Sequence, residues 1–132
     1  ILRTADWFGF RHIICSPDSV DVFNPKVVQS TMGAIARVRV HYIELAGFLS
    51  GTKDRPVYGT FLEGESLYET EMDPNPVILF GNESRGLSGD YEPFLDKKIS
   101  IPSFSGTENG PESLNLASAV AIFCSEIRRR NL

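Results

Sequence analysis

The residues with the clearest chemical potential form the run GNESRG at 81–86, directly after the apolar run 77–80. The two glycines of this run allow the backbone to approach a ligand closely or to take a positive φ, so that backbone amides can act as donors. Alone, the pattern is more typical of a plain turn, because it lacks the Lys-Ser/Thr of a nucleotide-phosphate loop and the spacing of the dinucleotide fingerprint. Glu83 and Arg85 are equally compatible with an ordinary surface ion pair.

Two other segments combine glycine or hydroxyl residues with apolar neighbours. Gly59 and Thr60 lie inside the apolar run 57–62, and IPSFSG at 101–106 leads on to ESLN at 112–115. In an open α/β sheet, ligands bind beyond the carboxyl ends of the parallel strands. We therefore expect these segments and the GNESRG loop to meet at one ligand-binding edge.

Ser113 and Asn115 stand where the last helix is expected to begin. Ser113 is a good N-cap, and Asn115 would then be a surface residue in the first turn. A helix start also presents free backbone amides, and a neutral amide side chain can orient a hydroxyl without imposing charge. Neither residue is diagnostic by itself, so the structural and the functional interpretation both stay open.

Short β-rich runs alternate with helix-like stretches along the chain. Helices are predicted at 25–37 after a capping Asn24, at a short stretch after Ser88, and from 113 to about 129. This alternation predicts an α/β fold with a mostly parallel sheet flanked by helices. The five predicted strands are residues 12–15, 40–45, 57–62, 77–80 and 99–102.

The last helix has an apolar stripe at helical spacing, which predicts one buried face. Three consecutive arginines at 128–130 close this helix where its dipole favours cations, and a solvated helix end is a more typical role for them than an RNA contact. Segments 47–55 and 106–111 are predicted loops. The stripe consists of Leu116, Val120, Phe123 and Ile127.

The composition is that of an ordinary globular domain. The chain has 132 residues, of which 42% are hydrophobic and 23% charged, and no apolar run approaches the length of about 20 residues that a membrane span needs. The net charge of −4 argues against coating nucleic acid through the overall field, although it leaves room for a local basic patch. We expect one domain and no membrane span.

The cysteines and histidines predict structural roles. Cys15 and Cys124 each lie within an apolar run, which favours buried thiols in a reducing compartment over a disulfide or a metal site, and so a cytoplasmic protein. His12 and His41 lie in strand-like runs and are predicted to be half-buried sheet residues.

Three segments, taken in order, resemble the motifs of a known family. ILRTADWFGF at the start, VILFGNESRGLS in the middle and IPSFSG with ESLNLASAVAI at the end are similar to the three motifs of the SpoU/TrmH family of RNA 2′-O-ribose methyltransferases. The resemblance covers essentially the whole chain. It implies an α/β fold with a deep C-terminal trefoil knot, which periodicity would never have predicted because true knots are nearly absent among proteins. It also implies S-adenosyl-L-methionine as the cofactor, and no metal.

The resemblance further implies which residues bind the cofactor. An adenine needs backbone donors and acceptors on its edge and apolar surface on its faces, and glycine loops flanked by Phe80, Ile101 and Leu114 can supply both. Gly59 and Thr60 would edge the adenosine pocket. The implied set is Gly59, Thr60, Phe80, Gly81, Glu83, Gly86, Ile101, Pro102, Ser113, Leu114, Asn115 and Ala117.

Four residues would carry the implied chemistry. Arg3 matches the arginine of the first motif, to which deprotonation of the ribose 2′-hydroxyl is often ascribed. Because an arginine is normally always protonated, anchoring the phosphate and stabilising the developing alkoxide are physically easier roles. Glu83 would hold Arg3 through a bidentate pair, while Ser113 and Asn115 would orient the ribose or the cofactor.

The family's first motif begins with residues that would precede Ile1, and so would the strand that carries them. We therefore expect residues 1–132 to be a single methyltransferase domain that lacks its first strand and any upstream RNA-binding domain. The resemblance implies a tRNA or rRNA substrate and a homodimer in which Arg3 serves the pocket of the other subunit.

Two other functions remain open. A catalytically silent RNA-binding protein would retain the knotted pocket, although the presence of Arg3, Glu83, Ser113 and Asn115 speaks against it. A different α/β nucleotide-binding enzyme would place a phosphate on the GNESRG loop, but no lysine or pair of metal-binding carboxylates stands nearby. Cofactor binding without methyl transfer would indicate the first of these alternatives.

Overall fold

The computed structural model describes residues 1–31, 33–106 and 112–132. Its backbone divides into two compact units, Ile1–Gly51 and Thr52–Leu132, which are described separately. Both units combine parallel strands with helices, so the predicted α/β class is confirmed.

The first unit is built around one parallel strand pair. Ile14 of the first strand lies opposite His41 of the second. The rings of His12 and His41 stack, with 3.1 Å between Nδ1 of His12 and Nε2 of His41. His12 is exposed and His41 half-buried, so only His41 has the predicted burial. The elements are α1 (Leu2–Trp7), β1 (His12–Cys15), α2 (Pro25–Thr31), a 3-10 helix (Ala34–Ala36), β2 (Arg39–Tyr42) and α3 (Leu45–Gly51).

Several predicted boundaries change in this unit. The predicted helix 25–37 ends at Thr31, because Gly33 takes a left-handed φ of 86° and a 3-10 turn follows; residue 32 lies outside the described residues. The capping role of Asn24 is confirmed, since its Oδ1 accepts from the Lys26 amide at 3.1 Å. The predicted loop 47–55 is wrong in its first part, where α3 continues.

A carboxylate explains why α3 forms at that position. Glu44 accepts hydrogen bonds from the amides of Ala46 and Gly47 at 2.8 and 2.7 Å, which satisfies the first free donors of the helix. The same helix start ends the predicted strand 40–45 early, at Tyr42. The signal was therefore present in the sequence as a carboxylate before a short apolar segment.

The second unit contains β3 (Val57–Ser66), β4 (Val77–Leu79), a 3-10 helix (Gly89–Phe94), β5 (Lys97–Ser100) and α4 (Leu116–Arg130). Its strands form a three-stranded parallel sheet in the order β4-β3-β5. The core of the unit consists of Tyr58, Leu67, Ile99 and Phe123, which come from β3, the following turn, β5 and α4. The short helix predicted after Ser88 is this 3-10 helix, which Ser88 caps through the Asp90 amide.

All three strands in this unit differ from their predicted bounds, β4 only in ending at Leu79 instead of residue 80. β3 extends beyond residue 62 because Gly64 passes so close to β5 that an added Cβ would stand 2.6 Å from the Lys98 carbonyl oxygen, and the register shifts between Thr60 and Glu65. β5 begins two residues before the predicted 99, because Lys97 and Lys98 join the ladder and their amines pair with Glu65 and Glu92 at 3.5 and 2.6 Å.

The last helix begins later than predicted. α4 starts at Leu116 and its N-cap is Asn115, whose Oδ1 accepts from the Ser118 amide at 2.8 Å. The prediction that Ser113 is the N-cap is therefore wrong. The buried stripe is confirmed for Val120, Phe123 and Ile127, whereas Leu116 is half-buried.

Both cysteines are free, as expected, but their surroundings differ. Cys124 is buried on α4, and burial raises the pKa of its thiol to about 11. Cys15 on β1 is only half-buried, and burial raises the pKa of its thiol as well. Both thiols therefore stay protonated and weakly nucleophilic near neutral pH.

The arginines at the end of α4 are not simply solvated. Arg129 and Arg130 both pair with the buried Glu126, at 2.7 and 2.6 Å. Arg130 also donates to the carbonyl oxygen of Leu67 at 2.6 Å and to that of Thr70. The Arg130 guanidinium connects α4 to the turn after β3, whereas Arg129 pairs with Glu126 of its own helix. The prediction of a solvated helix end is therefore wrong for Arg130.

This network predicts a specific pH dependence of stability. Hydrogen bonds from Arg129, and then from Arg130, lower the pKa of Glu126 from 4.5 to about 2. The folded state therefore gains stability that is complete above pH 4.5 and is lost as the pH falls through 2. Glu126→Gln should lower the free energy of unfolding by about 2 kcal/mol near pH 7, because hydrogen bonds to a charged group are lost.

Urea unfolding at several pH values between 2 and 7 would measure this effect. The difference in free energy of unfolding between wild type and Glu126→Gln should shrink steadily below pH 4.5, because the stabilisation from the ionised wild-type carboxylate is then progressively lost. Glu112→Gln is the matched control, because Glu112 is exposed. If the unfolding free energies of wild type and Glu126→Gln differ by a constant amount over this pH range, the proposed role of the ion pair is wrong.

Candidate active site

The carboxyl ends of the three parallel strands in the second unit lie at one edge of the sheet. Gly59 pairs with Leu79 of β4, and Thr60 pairs with Ile99 of β5. Each neighbouring strand then leads directly into a predicted site segment, beginning at residue 80 after β4 and at residue 101 after β5. The sheet register thus brings three of the predicted segments together.

The loop after β4 is closed by its own backbone. The amide of Asn82 donates to the carbonyl of Gly86 at 2.9 Å, and the amide of Gly86 donates to the carbonyl of Asn82 at 2.8 Å. Inside this ring, Oδ1 of Asn82 accepts from both the amide and the hydroxyl of Ser84, at 2.9 and 2.7 Å. The loop is therefore internally hydrogen-bonded without any ligand.

Both glycines of the loop are required by its geometry. Gly86 takes a left-handed φ of 68°, which favours glycine. A Cβ on Gly81 would stand 2.1 Å from the carbonyl carbon of Gly86 and 2.2 Å from the amide nitrogen of Leu87. The chain thus doubles back against itself at residue 81, which leaves no room for any side chain there.

Glu83 and Arg85 project from the exposed part of this loop. Within the residues that the structure describes, neither side chain forms an ion pair. Glu83 and Arg85 therefore do not form the surface ion pair considered from the sequence. As far as the described residues go, both charges are left for a ligand or a partner.

Gly59 has a different environment from the one expected. On the side where a Cβ would stand, Leu95 Cδ1, Phe61 Cε2 and Leu87 Cδ2 lie at 2.6, 2.9 and 3.1 Å from that position. This side of Gly59 is therefore covered by apolar side chains. Thr60 is also engaged, since its hydroxyl donates to the carbonyl of Leu79 at 3.2 Å.

Sequence reasoning missed Leu87 and Leu95 as part of this edge. Both are half-buried, one just after the GNESRG loop and the other just before β5. Their apolar type beside turn residues was the available signal. No sequence pattern indicated that the two leucine side chains fill the space beside Gly59, where a side chain would otherwise stand.

Two of the predicted apolar walls, Phe80 and Ile101, contact the same core. Both are half-buried and pack against the core of the second unit. The ring of Phe80 meets that of Phe123 edge to face, with 5.5 Å between centroids. Each side chain thus has one surface fixed by the core and another that remains accessible. Pro102, also half-buried, follows Ile101 and cannot donate to a strand ladder.

The segment before α4 presents exposed polar groups. Ser113, Asn115 and Ala117 are exposed, and Leu114 is 49% exposed, so the predicted apolar wall at Leu114 is not packed against the core. Because Oδ1 of Asn115 caps the helix, its amide nitrogen is the group left for a ligand. The predicted loop 106–111 lies outside the described residues except for Gly106.

Arg3 belongs to the first unit and is exposed on α1. This helix is held by Asp6, which accepts from Nε and Nη2 of Arg37, the shortest contact being 2.6 Å. The hydrogen bond from Arg37 lowers the pKa of the Asp6 carboxyl below its usual value. Arg37 is therefore committed to supporting the helix, while the Arg3 guanidinium is presented to solvent.

The described residues form neither a metal-binding group nor a membrane-spanning helix. In residues 1–31, 33–106 and 112–132, no three His, Cys, Asp or Glu side chains are grouped so that they could hold a metal ion. Across the same described parts, none of the helices has the length and hydropathy needed to cross a bilayer.

Three known proteins with a similar sequence or structure are described as RNA methyltransferases. RlmP of Bacillus subtilis, a 23S rRNA (guanosine(2553)-2′-O)-methyltransferase, is 28% identical over 97% of this chain and 51% of its own length. A solved TrmH-family structure from Porphyromonas gingivalis is 45% identical with a TM-score of 0.86, over 98% of this chain and 53% of that chain.

A third protein carries a bound ligand. The S-adenosylmethionine-bound rRNA methyltransferase of Sinorhizobium meliloti is 29% identical with a TM-score of 0.85, over 99% of this chain and 50% of that one. The chain therefore spans about half the length of the relatives that it matches. A profile of the SpoU rRNA Methylase family matches residues 1–125. On this match, the chain belongs to the SpoU rRNA methylase family.

Proposed function

We propose that this protein transfers a methyl group from S-adenosylmethionine to a ribose 2′-hydroxyl of a structured tRNA or rRNA. The observation that carries the proposal is the GNESRG loop, which is closed on itself and lies at the carboxyl edge of a parallel sheet, next to two half-buried apolar side chains. The activities described for the relatives support the same reaction.

The residues at this edge fit the proposed cofactor chemically. Phe80 and Ile101 provide apolar surface for the faces of an adenine, and the glycine loop provides backbone donors and acceptors for its edge. Because Gly81 has no side chain, the loop backbone can lie close to the cofactor. We assign cofactor binding to these groups and to the segments at 101–102 and 113–117, with Gly59 and Thr60 forming the sheet edge beneath them.

S-Adenosylmethionine supplies a methyl group that is already activated on a sulfonium, so the protein needs no metal for this step. In the reaction the ribose oxygen would form a bond to the methyl carbon as the sulfur–carbon bond breaks, with S-adenosylhomocysteine as the leaving group. The 2′-hydroxyl proton would pass to solvent water, because the guanidinium of Arg3 is already protonated. The protein must hold that hydroxyl in line and stabilise the charge on its oxygen. We assign the stabilising role to a guanidinium, that of Arg3.

The proposed arrangement includes a homodimer and the family's C-terminal trefoil knot. In such a dimer, Arg3 of one subunit serves the site of the other, where the exposed Glu83 can hold it through a bidentate pair. Ser113 and the amide nitrogen of Asn115 orient the ribose or the cofactor. The exposure of Arg3, Glu83, Ser113 and Asn115 supports these roles, because all four can be reached by a second molecule.

Transfer of a radioactive methyl group to RNA would test the function directly. The full-length protein should label purified tRNA or rRNA when given S-adenosylmethionine, and alkali-resistant dinucleotides should locate the label on a ribose 2′-oxygen. Label on a base would contradict the proposed reaction. Saturable cofactor binding without transfer to either RNA class would instead indicate a silent RNA-binding protein.

Asn115 combines two roles that substitution can separate. Asn115→Ala should cost about 1 kcal/mol of unfolding free energy through the lost N-cap, and should also weaken cofactor binding or turnover. Asn115→Ser is the matched control, because serine caps the helix but lacks the amide nitrogen. It should restore the melting temperature and leave the functional defect. Full recovery of activity in Asn115→Ser would show that only the cap matters.

A further inference from the structure

We propose that Arg85 binds a phosphate of the RNA backbone beside the cofactor loop and so acts as a positioning residue. This inference rests on the proposed function and adds a substrate contact to it. Arg85 follows β4 at the carboxyl edge of the sheet, within the loop that the backbone closes between Asn82 and Gly86. The proposal concerns how the substrate is held, since Arg85 is not assigned any contact with the reacting atoms.

The other basic side chains of the second unit show why Arg85 is distinctive. Four of them are committed to carboxylates of the same unit, at 2.6 to 3.5 Å. Arg85 is exposed and, in the described part of the chain, has no such partner. No described carboxylate therefore neutralises its charge. The committed side chains are Lys97, Lys98, Arg129 and Arg130.

Position separates Arg85 from the two remaining exposed basic residues in segment 52–57. Lys53 and Arg55 precede β3, so they lie towards the amino ends of the parallel strands. Arg85 follows a strand and lies towards the carboxyl ends, where the proposed cofactor site is. A chain with a net charge of −4 does not attract RNA through its overall field. An arginine at this edge that is not paired with any described carboxylate therefore has a larger effect on where RNA binds.

The loop also holds Arg85 in a defined place. Reciprocal backbone hydrogen bonds of 2.9 and 2.8 Å join the residues on either side of the Glu83-Ser84-Arg85 segment. The side chain of Asn82 fixes the middle of that segment through Ser84. Less backbone ordering is then needed when a ligand binds, which favours affinity. A guanidinium suits this role because it can donate two parallel hydrogen bonds to a phosphate.

The neighbouring carboxylate does not cancel this charge. Glu83 stands two positions before Arg85 and makes no ion pair with it. In the proposed function Glu83 is used to hold Arg3, which would neutralise its charge when the site is assembled. Arg85 then remains as the cation of this loop that faces the anionic substrate.

The test compares Arg85→Gln with Arg55→Gln, which removes the same charge at the opposite edge of the sheet. In the full-length protein, Arg85→Gln should raise the KM for RNA about tenfold through loss of a charge-assisted contact, with kcat and the cofactor Kd nearly unchanged. The slope of log affinity against log salt should fall by about 1, as expected for one phosphate contact. Arg85→Lys should recover part of the affinity, and Arg55→Gln should match wild type.

The outcomes distinguish this proposal from the proposed function. RNA binding is measured by salt titration without turnover, so the salt slope decides the role of Arg85 even if no methyl is transferred. An unchanged slope and KM in Arg85→Gln would overturn the proposal, and so would an equal loss in Arg55→Gln. A weaker cofactor affinity with an unchanged salt slope would overturn it too, because Arg85 would then only support the loop. Absence of transfer by wild type refutes the proposed function alone.

Discussion

Gly81→Ala should reduce the affinity for S-adenosylmethionine on the order of 100-fold, because misplacing a site by about 1 Å has effects of that size. The added Cβ would stand 2.1 Å from the carbonyl carbon of Gly86, and a backbone atom cannot give way as a flexible side chain can. The loop must open, and its reciprocal hydrogen bonds between Asn82 and Gly86 would be strained or lost. Isothermal titration calorimetry with the cofactor would measure the loss.

Gly89→Ala provides the matched control for this prediction. It is the same chemical change in the same connection between β4 and β5, but no atom lies within 4 Å of the added Cβ. This variant should bind the cofactor like wild type. Circular dichroism would check that both variants keep their secondary structure. Normal cofactor binding by a folded Gly81→Ala would contradict the assignment of the pocket to this loop.

Arg3→Ala should lower kcat for methyl transfer on the order of 100-fold or more, which is the usual effect of removing one group that stabilises a developing oxyanion. Cofactor binding should change little, because Arg3 is assigned to the ribose and its phosphate. Arg3 is exposed on a helix that Asp6 and Arg37 hold in place, so its removal should not unfold the unit. Single-turnover kinetics with saturating RNA would separate chemistry from binding.

Arg39→Ala is the charge-matched control in the first unit, since Arg39 is also exposed and lies on β2. It should retain wild-type turnover. Arg3→Ala and Asn115→Ala should have different defects. Arg3→Ala should lose turnover alone, whereas Asn115→Ala should also lose cofactor affinity. Equal loss of cofactor binding in both variants would refute this division of roles.

The fold was predictable where one local signal decided the structure. β1 at His12–Cys15 has its predicted bounds, because a short apolar β-branched run is bounded by turn residues. The start of α4 was not predictable from local preference alone, since Ser113 and Asn115 are both good N-caps and the structure uses the second. The role of Arg130 depends on the carbonyls of Leu67 and Thr70, which a helical pattern cannot reveal.

The sequence indicated which types of residue form the candidate site, but not most of the tertiary contacts that these residues make. The glycines of the GNESRG loop indicated close backbone approach, and Gly81 does lie against the backbone of Gly86. The covering of Gly59 by Leu87 and Leu95 needed the tertiary structure, because it depends on how two later segments fold back over β3. The proposed knot rests on the family resemblance, since chain threading leaves no periodic signal in a sequence.

We propose above all that the carboxyl edge of the second unit binds S-adenosylmethionine. Calorimetric titration of the full-length protein with S-adenosylmethionine and S-adenosylhomocysteine, with ATP and NAD as controls, tests this claim most directly. We predict saturable binding of the first two compounds and none of the controls. Preferential binding of ATP or NAD would contradict the claim. So would the absence of binding of both S-adenosylmethionine and S-adenosylhomocysteine.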